Sequence, residues 1–513
     1  MKEPEHGTPE HWARLRPDAP AVVHGAEVMT YGQWNDRADA VAEGLAALGL
    51  GPGDRLGMRF HLGLEWFVVQ RALQKLRVAQ VAVNWKLTPD EAAYIITDSD
   101  AKGLACNDAD ASGWAAHDVG ILLTVGQPPG SPGVRYEDLV TTPVVTPRFG
   151  PLRPALVMYT SGTTGAPRGV PPTDPRTVSD PDRLMRYAMS TAKVPPYPER
   201  SATLLTLPVH HGAGPASAVR TCAGGGTVVV LSRFDPEEAL RLIERHRIRT
   251  WTAVPTMLLR IQNLPEQTFA RYDVSSLTAL TTGAAPVPQS LKEWVIDRFG
   301  DGVLWEAYGA SEAGMISYTP PEYQLTKPGT SGIPYDGVEI AIVDDDWNRL
   351  PPGLTGEIAV NTPIVLTRYL GRDELGADTV KDGFYRTGDV GHLDEDGFLF
   401  ITDRIKDMIV AGGVNIYPAE IEKVLIRHPA VADVAVVGIP HDDFGEQPLA
   451  FVVTAPGATV TEDELVRFLD GRLASYKRPR VFTFVDELPV NPMGKVLKNV
   501  LRAPYWKGRR RHV

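Results

Sequence analysis

Residues 202–310 decide the fold class, because five short apolar runs alternate there with helix signals. The runs are ATLLTLPV from Ala202, GTVVVLS from Gly226, RTWTAVP from Arg249, SLTALTTG from Ser276 and GVLWEAYG from Gly302. Between them, helices are predicted to begin near Asp235, Pro255 and Pro288, where an N-capping aspartate or a proline suits the first helical turn. Strands that alternate with helices of this length predict βαβ units and an α/β fold with a mainly parallel sheet.

Capping boxes extend this pattern in both directions along the chain. Thr30 with Gln33 predicts a helix that continues to about Leu50, and Thr88 with Glu91 predicts another, with Pro89 at its first position. Near the carboxyl end, Thr461 with Glu464 predicts a third.

The chain is long enough for more than one domain. Its 513 residues exceed the roughly 250–300 at which a single core stops growing. Composition changes after about residue 400, where a compact α+β unit of about 110 residues is predicted. We therefore predict an N-terminal domain over residues 1–402 and a C-terminal domain over 403–513, with a hinge near 403–407.

Composition excludes several classes of protein. Apolar residues make up 43% and charged residues 22% of the chain, and no run of roughly 20 apolar residues predicts a membrane helix. A net charge of −11 argues against general nucleic-acid binding, and the basic stretch 507–512 is interpreted as a solvated terminus. The charged first residues do not resemble a signal peptide, and the two cysteines, Cys106 and Cys222, suit a reducing cytoplasm.

Three glycine-bearing loops follow predicted strands. They are TSGTTGAPRG (160–169), GAAPV from Gly283, and YGASEAG (308–314). Ligands bind beyond the carboxyl ends of strands in such sheets, so the three loops predict one shared site. In the first loop, glycine backbone N–H groups and side-chain hydroxyls suit phosphate oxygens, although it does not fit the P-loop pattern.

Together with YRTGDVG (385–391), DRIKDMIVAGGVNIYPAEIE (403–422) and NPMGKVLK (491–498), these loops resemble the motifs of adenylate-forming enzymes. That superfamily comprises acyl-CoA synthetases, peptide-synthetase adenylation domains and luciferases, and the resemblance runs from about residue 12 to about 500. It implies a large N-terminal body of αβ layers with a small β-barrel, and a small mobile C-terminal lid. It also implies ATP, Mg²⁺ and coenzyme A as cofactors.

The resemblance implies a nucleotide-binding role for residues of several motifs. Tyr308 would stack on adenine, Ser311 would contact the α-phosphate, and Glu312 would hold Mg²⁺, which favours carboxylate and phosphate oxygens. Asp389 would accept the ribose hydroxyls, with Arg404 nearby. The remaining residues expected at ATP or AMP are Thr160, Ser161, Gly162, Thr163, Thr164, Gly165, Arg168, Gly283, Ala284, Ala285, Glu306, Ala307, Gly309 and Ala310.

The C-terminal motifs imply two half-reactions. Lys495 matches the lysine of the adenylation step, where a cation stabilises charge developing at the α-phosphorus. The lid would then rotate at a hinge marked by Lys406, and Gly412 and Gly413 would line the tunnel for the pantetheine arm of coenzyme A.

The acid would bind near His211, whose neighbour His210 is interpreted as packing; hydrogen-bonded core histidines are the alternative for both. Small residues are expected at the wall of this pocket, and we predict that they leave room for a bulky hydrophobic acid. The alternative is that the glycines serve loop geometry. The wall positions are Gly212, Ala213, Gly214, Ala284, Ala307, Gly309 and Gly314.

Two departures from the family pattern leave alternatives open. Arg168 stands where relatives usually have lysine, and Asp174 follows Thr173 where relatives commonly have histidine. A carboxylate near the triphosphate lowers affinity unless Mg²⁺ or a basic residue intervenes. The main prediction is an AMP-forming acid–CoA ligase. The alternatives are an enzyme that thioesterifies an acyl-adenylate supplied by a second adenylating enzyme, one that loads a carrier protein, and a sensor without catalysis; Lys495 and Glu312 argue against the sensor.

Overall fold

The computed structural model describes residues 3–160, 166–411, 414–491 and 494–507. The described strands, in chain order, are β1 (Pro20–His24), β2 (Glu27–Thr30), β3 (Arg55–Arg59), β4 (Ala79–Ala82), β5 (Gly103–Cys106), β6 (Ile121–Thr124), β7 (Val134–Arg135), β8 (Leu156–Thr160), β9 (Arg168–Val170), β10 (Ala202–Leu205), β11 (Thr227–Val230), β12 (Ile248–Thr252), β13 (Ala279–Gly283), β14 (Leu304–Ala310), β15 (Gly314–Thr319), β16 (Ile333–Pro334), β17 (Glu339–Val343), β18 (Gly356–Asn361), β19 (Val380–Lys381), β20 (Phe384–Leu393), β21 (Leu399–Arg404), β22 (Ile409–Ala411), β23 (Val414–Ile416), β24 (Val431–His441), β25 (Gly445–Thr454) and β26 (Val481–Phe484).

The described α-helices are α1 (Pro9–Leu15), α2 (Tyr31–Ala47), α3 (Leu64–Leu76), α4 (Pro89–Asp98), α5 (Tyr136–Leu139), α6 (Pro181–Lys193), α7 (Ala213–Ala223), α8 (Pro236–His246), α9 (Pro255–Gln262), α10 (Glu266–Phe269), α11 (Gln289–Phe299), α12 (Pro418–Leu425), α13 (Glu462–Leu469) and α14 (Lys498–Arg502). None of these helices combines the length and the apolar composition that crossing a bilayer requires.

Local sequence signals set the helix starts. The predicted capping boxes at Thr30, Thr88 and Thr461 are all confirmed, each with reciprocal hydrogen bonds between the cap and the third helical residue. Asp235 caps α8, as expected. The helix predicted to reach about Leu50 ends slightly earlier, at Ala47.

The large N-terminal body contains two mainly parallel sheets, as predicted. One has nine strands in the order β16-β15-β14-β13-β12-β10-β11-β1-β2, and the other has seven in the order β7-β6-β5-β3-β4-β8-β9. Helices α2 and α3 pack between them around Trp34 and Phe67, whose rings meet edge to face. Helices α8, α9 and α11 enclose a second core with β10, β12 and β13.

Two smaller antiparallel-rich sheets complete the fold and confirm its predicted class. Strands β17–β21 form a five-stranded antiparallel half-barrel where the resemblance implies a small β-barrel. It ends at Arg404, and a single 3₁₀ turn (Ile405–Asp407) leads to the last sheet, β22–β26, which packs on α12 and α13. That turn coincides with the predicted hinge.

Candidate functional site

Asp389 is the centre of a buried polar group at the edge of the half-barrel. It lies opposite Arg404 in the β20–β21 register, and Arg404 Nε lies 2.9 Å from its Oδ1. Tyr308, from β14 of the large sheet, donates a 2.6 Å hydrogen bond to Oδ2. Burial, followed by the Asp389 charge, raises the pKa of Tyr308. The structure thus joins three residues from separate motifs, each expected at the nucleotide.

The C-terminal segment brings Lys495 to this group. Burial lowers the pKa of Lys495 to about 7, and the positive charges of Arg404 and Lys406 lower it further. Asp389 and Asp407 act in the opposite direction. Charged residues at the end of the half-barrel and in the turn after it thus influence the pKa of Lys495.

Lys495 lies on a short hairpin with its own hydrogen bonds. Its backbone N–H donates to Asn491 Oδ1 (2.9 Å), and its carbonyl accepts from Asn491 N–H (2.8 Å). Gly494 precedes it at φ +70°, and a Cβ there would clash with the side chain of Thr256 in the first turn of α9. Because Gly494 has no side chain, the segment that carries Lys495 can pack directly against the N-terminal body.

Glu312 is held by residues from two other segments. Thr160, at the end of β8, donates a hydrogen bond to Glu312 Oε1 (3.3 Å), and Tyr369 donates another to the same oxygen (3.2 Å). The described residues form no group of three histidine, cysteine or acidic side chains able to hold a metal by themselves. Glu312 fits a Mg²⁺ site completed by substrate phosphates, since Mg²⁺ is often bound by one or two carboxylates and phosphate oxygens.

In the loop after β13, the backbone comes close to β14 and leaves no room for a side chain at Gly283. A Cβ at Gly283 would clash with the carbonyl of Ala307, its partner in β14. The next residue, Ala284, is exposed at φ +64°, a conformation uncommon for residues other than glycine and found preferentially at functional sites. The small side chains of this loop, including Ala285, fit the contact with ATP or AMP expected of it.

Other predicted residues lie around this site. Ala307, Gly309 and Ala310 are on β14, and Ser311 is in the turn that follows. Predicted phosphate-loop residues Ser161, Gly162, Thr163, Thr164 and Gly165, and predicted tunnel residues Gly412 and Gly413, lie outside the described residues.

Glu306, expected at the nucleotide, lies on the same strand as Tyr308. Its side chain is buried beside α11 and pairs with Lys292, so any contact of position 306 with a nucleotide would come from its backbone. Burial raises the pKa of Glu306, and Lys292 opposes that shift. The sequence offered no signal for this pair, because Lys292 lies in an otherwise ordinary helical pattern.

The Lys292–Glu306 pair yields a stability prediction. Lys292→Met leaves a buried unpaired carboxylate and should destabilise the fold by about 3–5 kcal/mol, whereas Lys292→Met/Glu306→Met should recover most of that loss. Thermal melting of the single and double variants measures the effect. A double variant that melts as low as the single one would contradict it.

Asp174 does not present an uncompensated charge. Its carboxylate binds Arg176 Nη2 at 2.7 Å and caps the 3₁₀ turn Pro175–Thr177. Hydrogen bonds from Arg176 lower the pKa of Asp174 to about 2. A basic residue thus offsets the departure at this position.

Four glycines expected in the wall of the acid pocket lie close to other atoms of the protein. A Cβ at Gly314 would lie 2.5 Å from Ile364 Cδ1, and one at Gly212 would lie 3.0 Å from Met158 Sδ. At Gly214 and Gly309 it would meet backbone carbonyls at 2.6 Å. Side chains or backbone therefore occupy the positions that a Cβ would take at these four glycines, which fits the alternative that they serve loop geometry.

The two histidines before α7 are both substantially buried. Burial lowers the pKa of His210 to about 4, with His211 and Lys86 contributing. Burial also lowers the pKa of His211, whose Nδ1 accepts a 3.5 Å hydrogen bond from the backbone N–H of Ala213. Both imidazoles are therefore neutral near pH 7.

The fold and this arrangement define the class of adenylate-forming enzymes. The AMP-binding enzyme family matches residues 9–370, and the AMP-binding enzyme C-terminal domain matches residues 420–495. The chain accordingly belongs to the adenylate-forming acyl-CoA synthetase family, as the sequence motifs indicated.

Relatives similar along their whole length support this assignment. The fatty acid–[acyl-carrier-protein] ligase ScoC of Streptomyces coeruleorubidus is 34% identical, with 96% of this chain and 95% of the relative covered. Feruloyl-CoA synthase of an Amycolatopsis species is 35% identical, with 96% and 97% covered. The Bacillus subtilis o-succinylbenzoate CoA synthetase in complex with ATP and magnesium has a TM-score of 0.80 at 29% identity, with 96% and 99% covered. ATP, Mg²⁺ and coenzyme A, expected from the sequence, are confirmed as the cofactors of this family.

Proposed function

We propose that the chain activates a hydrophobic carboxylic acid as its acyl-adenylate and then transfers the acyl group to coenzyme A. In the first half-reaction, a carboxylate oxygen attacks the α-phosphorus of ATP and pyrophosphate leaves. In the second, the coenzyme A thiol loses its proton and attacks the acyl carbon, and AMP leaves with the bridging oxygen. The joining of Asp389, Tyr308 and Arg404, from three separate motifs, into one bonded group is the observation that carries the proposal.

Each residue of this group has a proposed task. Lys495 stabilises charge that develops between the carboxylate and the α-phosphate. Asp389 accepts the ribose hydroxyls, with Tyr308 and Arg404 holding its carboxylate in place, and Ser311 faces the α-phosphate. Glu312 would hold Mg²⁺, which neutralises phosphate charge when bound.

Domain alternation is part of the proposal. Residues 1–402 and 403–513 act as two domains with a hinge at 403–407. Adenylation would use an arrangement in which Lys495 faces the nucleotide. Rotation at the hinge would remove Lys495 and bring the segment that contains Gly412 and Gly413 to the acyl group.

The lowered pKa of Lys495 predicts that the rate of adenylation falls as pH rises. Because that pKa is lowered to about 7, the ammonium form required for adenylation is present below pH 7 and is lost as pH rises. We expect kcat/KM for ATP in acid-dependent pyrophosphate release to fall about tenfold per pH unit above the pKa. Lys495→Arg, which stays charged, should remove this fall. A wild-type profile that is flat to pH 9 would contradict the assignment.

The acid is proposed to be larger than acetate or propionate. Relatives act on fatty acids, ferulate and 2-succinylbenzoate, by their names. The pocket wall would be formed by side chains such as Met158 and Ile364, which adjoin the predicted glycine positions, and by His211. Each buried methylene contributes about 0.8 kcal/mol, about fourfold in affinity.

Carrier-protein loading is a second candidate, favoured by the similarity to ScoC. An enzyme that only thioesterifies a supplied adenylate is less well supported, because the chain retains Lys495, Glu312 and Asp389 and because Arg176 pairs with Asp174.

A paired assay tests the proposal. One arm incubates the protein with ATP, Mg²⁺ and fatty, cinnamic, succinylbenzoic and acetic acids, with coenzyme A or a phosphopantetheinylated carrier protein as acceptor. The other supplies preformed acyl-adenylate. We expect acid-dependent AMP together with acyl-CoA. Product only on the carrier would favour the second candidate, and product only from supplied adenylate would overturn the proposed adenylation.

A further inference from the structure

The connection between β18 and β19 crosses from the half-barrel to the phosphate-loop side of the site. We call residues 366–372 the crossing segment. The backbone N–H of Leu366 donates to the carbonyl of Glu312 (2.7 Å), and that of Leu370 donates to the carbonyl of Gly169 in β9 (2.8 Å). The segment is therefore bonded both to the turn that carries Glu312 and to the strand that follows the phosphate loop.

Tyr369 makes side-chain contacts in both directions from this segment. Its hydroxyl donates to Glu312 Oε1 (3.2 Å), and the guanidinium carbon of Arg168 lies 5.4 Å from its ring centroid. Burial, followed by the Glu312 charge, raises the pKa of Tyr369 to about 12, so its hydroxyl keeps its proton near neutral pH. The same side chain thus meets the carboxylate proposed to hold Mg²⁺ and a cation beside the phosphate loop.

At its C-terminal end, the crossing segment is linked through Asp98 to β8, the strand that precedes the phosphate loop. Arg372 Nη2 lies 2.7 Å from Asp98 Oδ1, and Tyr159 donates a 2.8 Å hydrogen bond to Asp98 Oδ2. Tyr159 immediately precedes Thr160, which bonds to Glu312. These contacts close a ring of interactions that fixes the spacing between Glu312 and β8.

We propose that Tyr369 is a positioning residue that sets the Glu312 carboxylate and the Arg168 guanidinium for the Mg²⁺–ATP complex; this rests on the proposed function. Both recorded donors reach Oε1, so among the described residues Oε2 is the Glu312 oxygen left for a cation. The aromatic ring of Tyr369 gives Arg168 a stacking partner, and a guanidinium stacks on an aromatic ring better than an ammonium does.

Two substitutions separate the two contacts. Tyr369→Phe removes only the hydroxyl and should raise the Mg²⁺ concentration for half-maximal acid-dependent pyrophosphate release by about three- to tenfold. Tyr369→Leu also removes the ring and should add an increase of about two- to fivefold in the KM for ATP. Thioester formation from supplied acyl-adenylate should stay within about twofold of wild type, because that step uses neither contact.

A double-variant cycle checks the role of the ring. Arg168→Lys should raise the KM for ATP in the wild-type background and have little effect in Tyr369→Leu, where the stacking surface is gone. Equal effects in both backgrounds would overturn the coupling between the two residues.

The outcomes distinguish this inference from the proposed function. Wild-type protein without acid-dependent pyrophosphate release would refute the proposed function itself. Active wild type together with a Tyr369→Phe variant of unchanged Mg²⁺ dependence would refute the inference alone. A lowered melting temperature with unchanged Mg²⁺ dependence would show a purely structural role and would also overturn it.

Discussion

Lys495→Met should reduce acid-dependent pyrophosphate release by about a hundred- to a thousandfold, while conversion of supplied acyl-adenylate to acyl-CoA stays within about threefold of wild type. The pKa of this lysine responds to the charges of Arg404 and Asp389, and in the proposed mechanism its cation stabilises charge that develops only during adenylyl transfer. Thioester formation follows removal of the lysine in the proposed cycle and does not use its charge.

The matched control is Lys423→Met, at an exposed lysine on α12 of the same C-terminal unit. It should leave both half-reactions unchanged. Pyrophosphate release by Lys495→Met within a few fold of wild type would contradict the role of the lysine. Equal loss of both half-reactions would contradict the separation between them.

Asp389→Asn should raise the KM for ATP by about ten- to a hundredfold with a much smaller change in the KM for the acid. The carboxylate is nearly isosteric with the amide, so the change removes charge and one acceptor. Hydrogen bonds to a charged group contribute about 1.5–3 kcal/mol each. The substitution also weakens the partner of Arg404 and the acceptor of Tyr308.

The same substitution should move the pH profile of adenylation. Asp389 is one of the two acidic groups that raise the pKa of Lys495, so its loss lowers that pKa further and shifts the falling limb toward acid. Asp396→Asn, which removes an exposed partner of Lys327 in the β20–β21 turn, is the control and should change neither KM nor profile. An unchanged KM for ATP in Asp389→Asn would refute the proposed ribose contact.

Local signals predicted much of the fold. The capping boxes at Thr30, Thr88 and Thr461 set helix starts by short-range hydrogen bonds, which depend only on neighbouring residues. The alternation of apolar runs with helix starts over residues 202–310 predicted a mainly parallel sheet, because strand–helix–strand units pair their strands in parallel. The small half-barrel came from resemblance, since no local pattern predicts how β17–β21 pair.

The sequence predicted which motif residues belong to the site, but it did not predict which other residues contact them. Glu306 was expected at the nucleotide, but no local pattern predicted that its side chain pairs with Lys292 of α11, fourteen positions earlier in the chain. Tyr369 and Thr256 carried no signal, because their roles come from contacts with distant residues. The sequence could not predict that Met158 and Ile364 would lie against Gly212 and Gly314, because those contacts come from distant parts of the chain.

The most direct test of adenylate formation follows the oxygen atoms of the acid. Wild-type protein is supplied with ATP, Mg²⁺, coenzyme A and a carboxylic acid labelled with ¹⁸O at both oxygens, and AMP and acyl-CoA are analysed by mass spectrometry. Attack of the carboxylate on the α-phosphorus predicts one ¹⁸O in AMP and the other in the thioester carbonyl. AMP without label, or release of ADP with label in inorganic phosphate, would contradict the account.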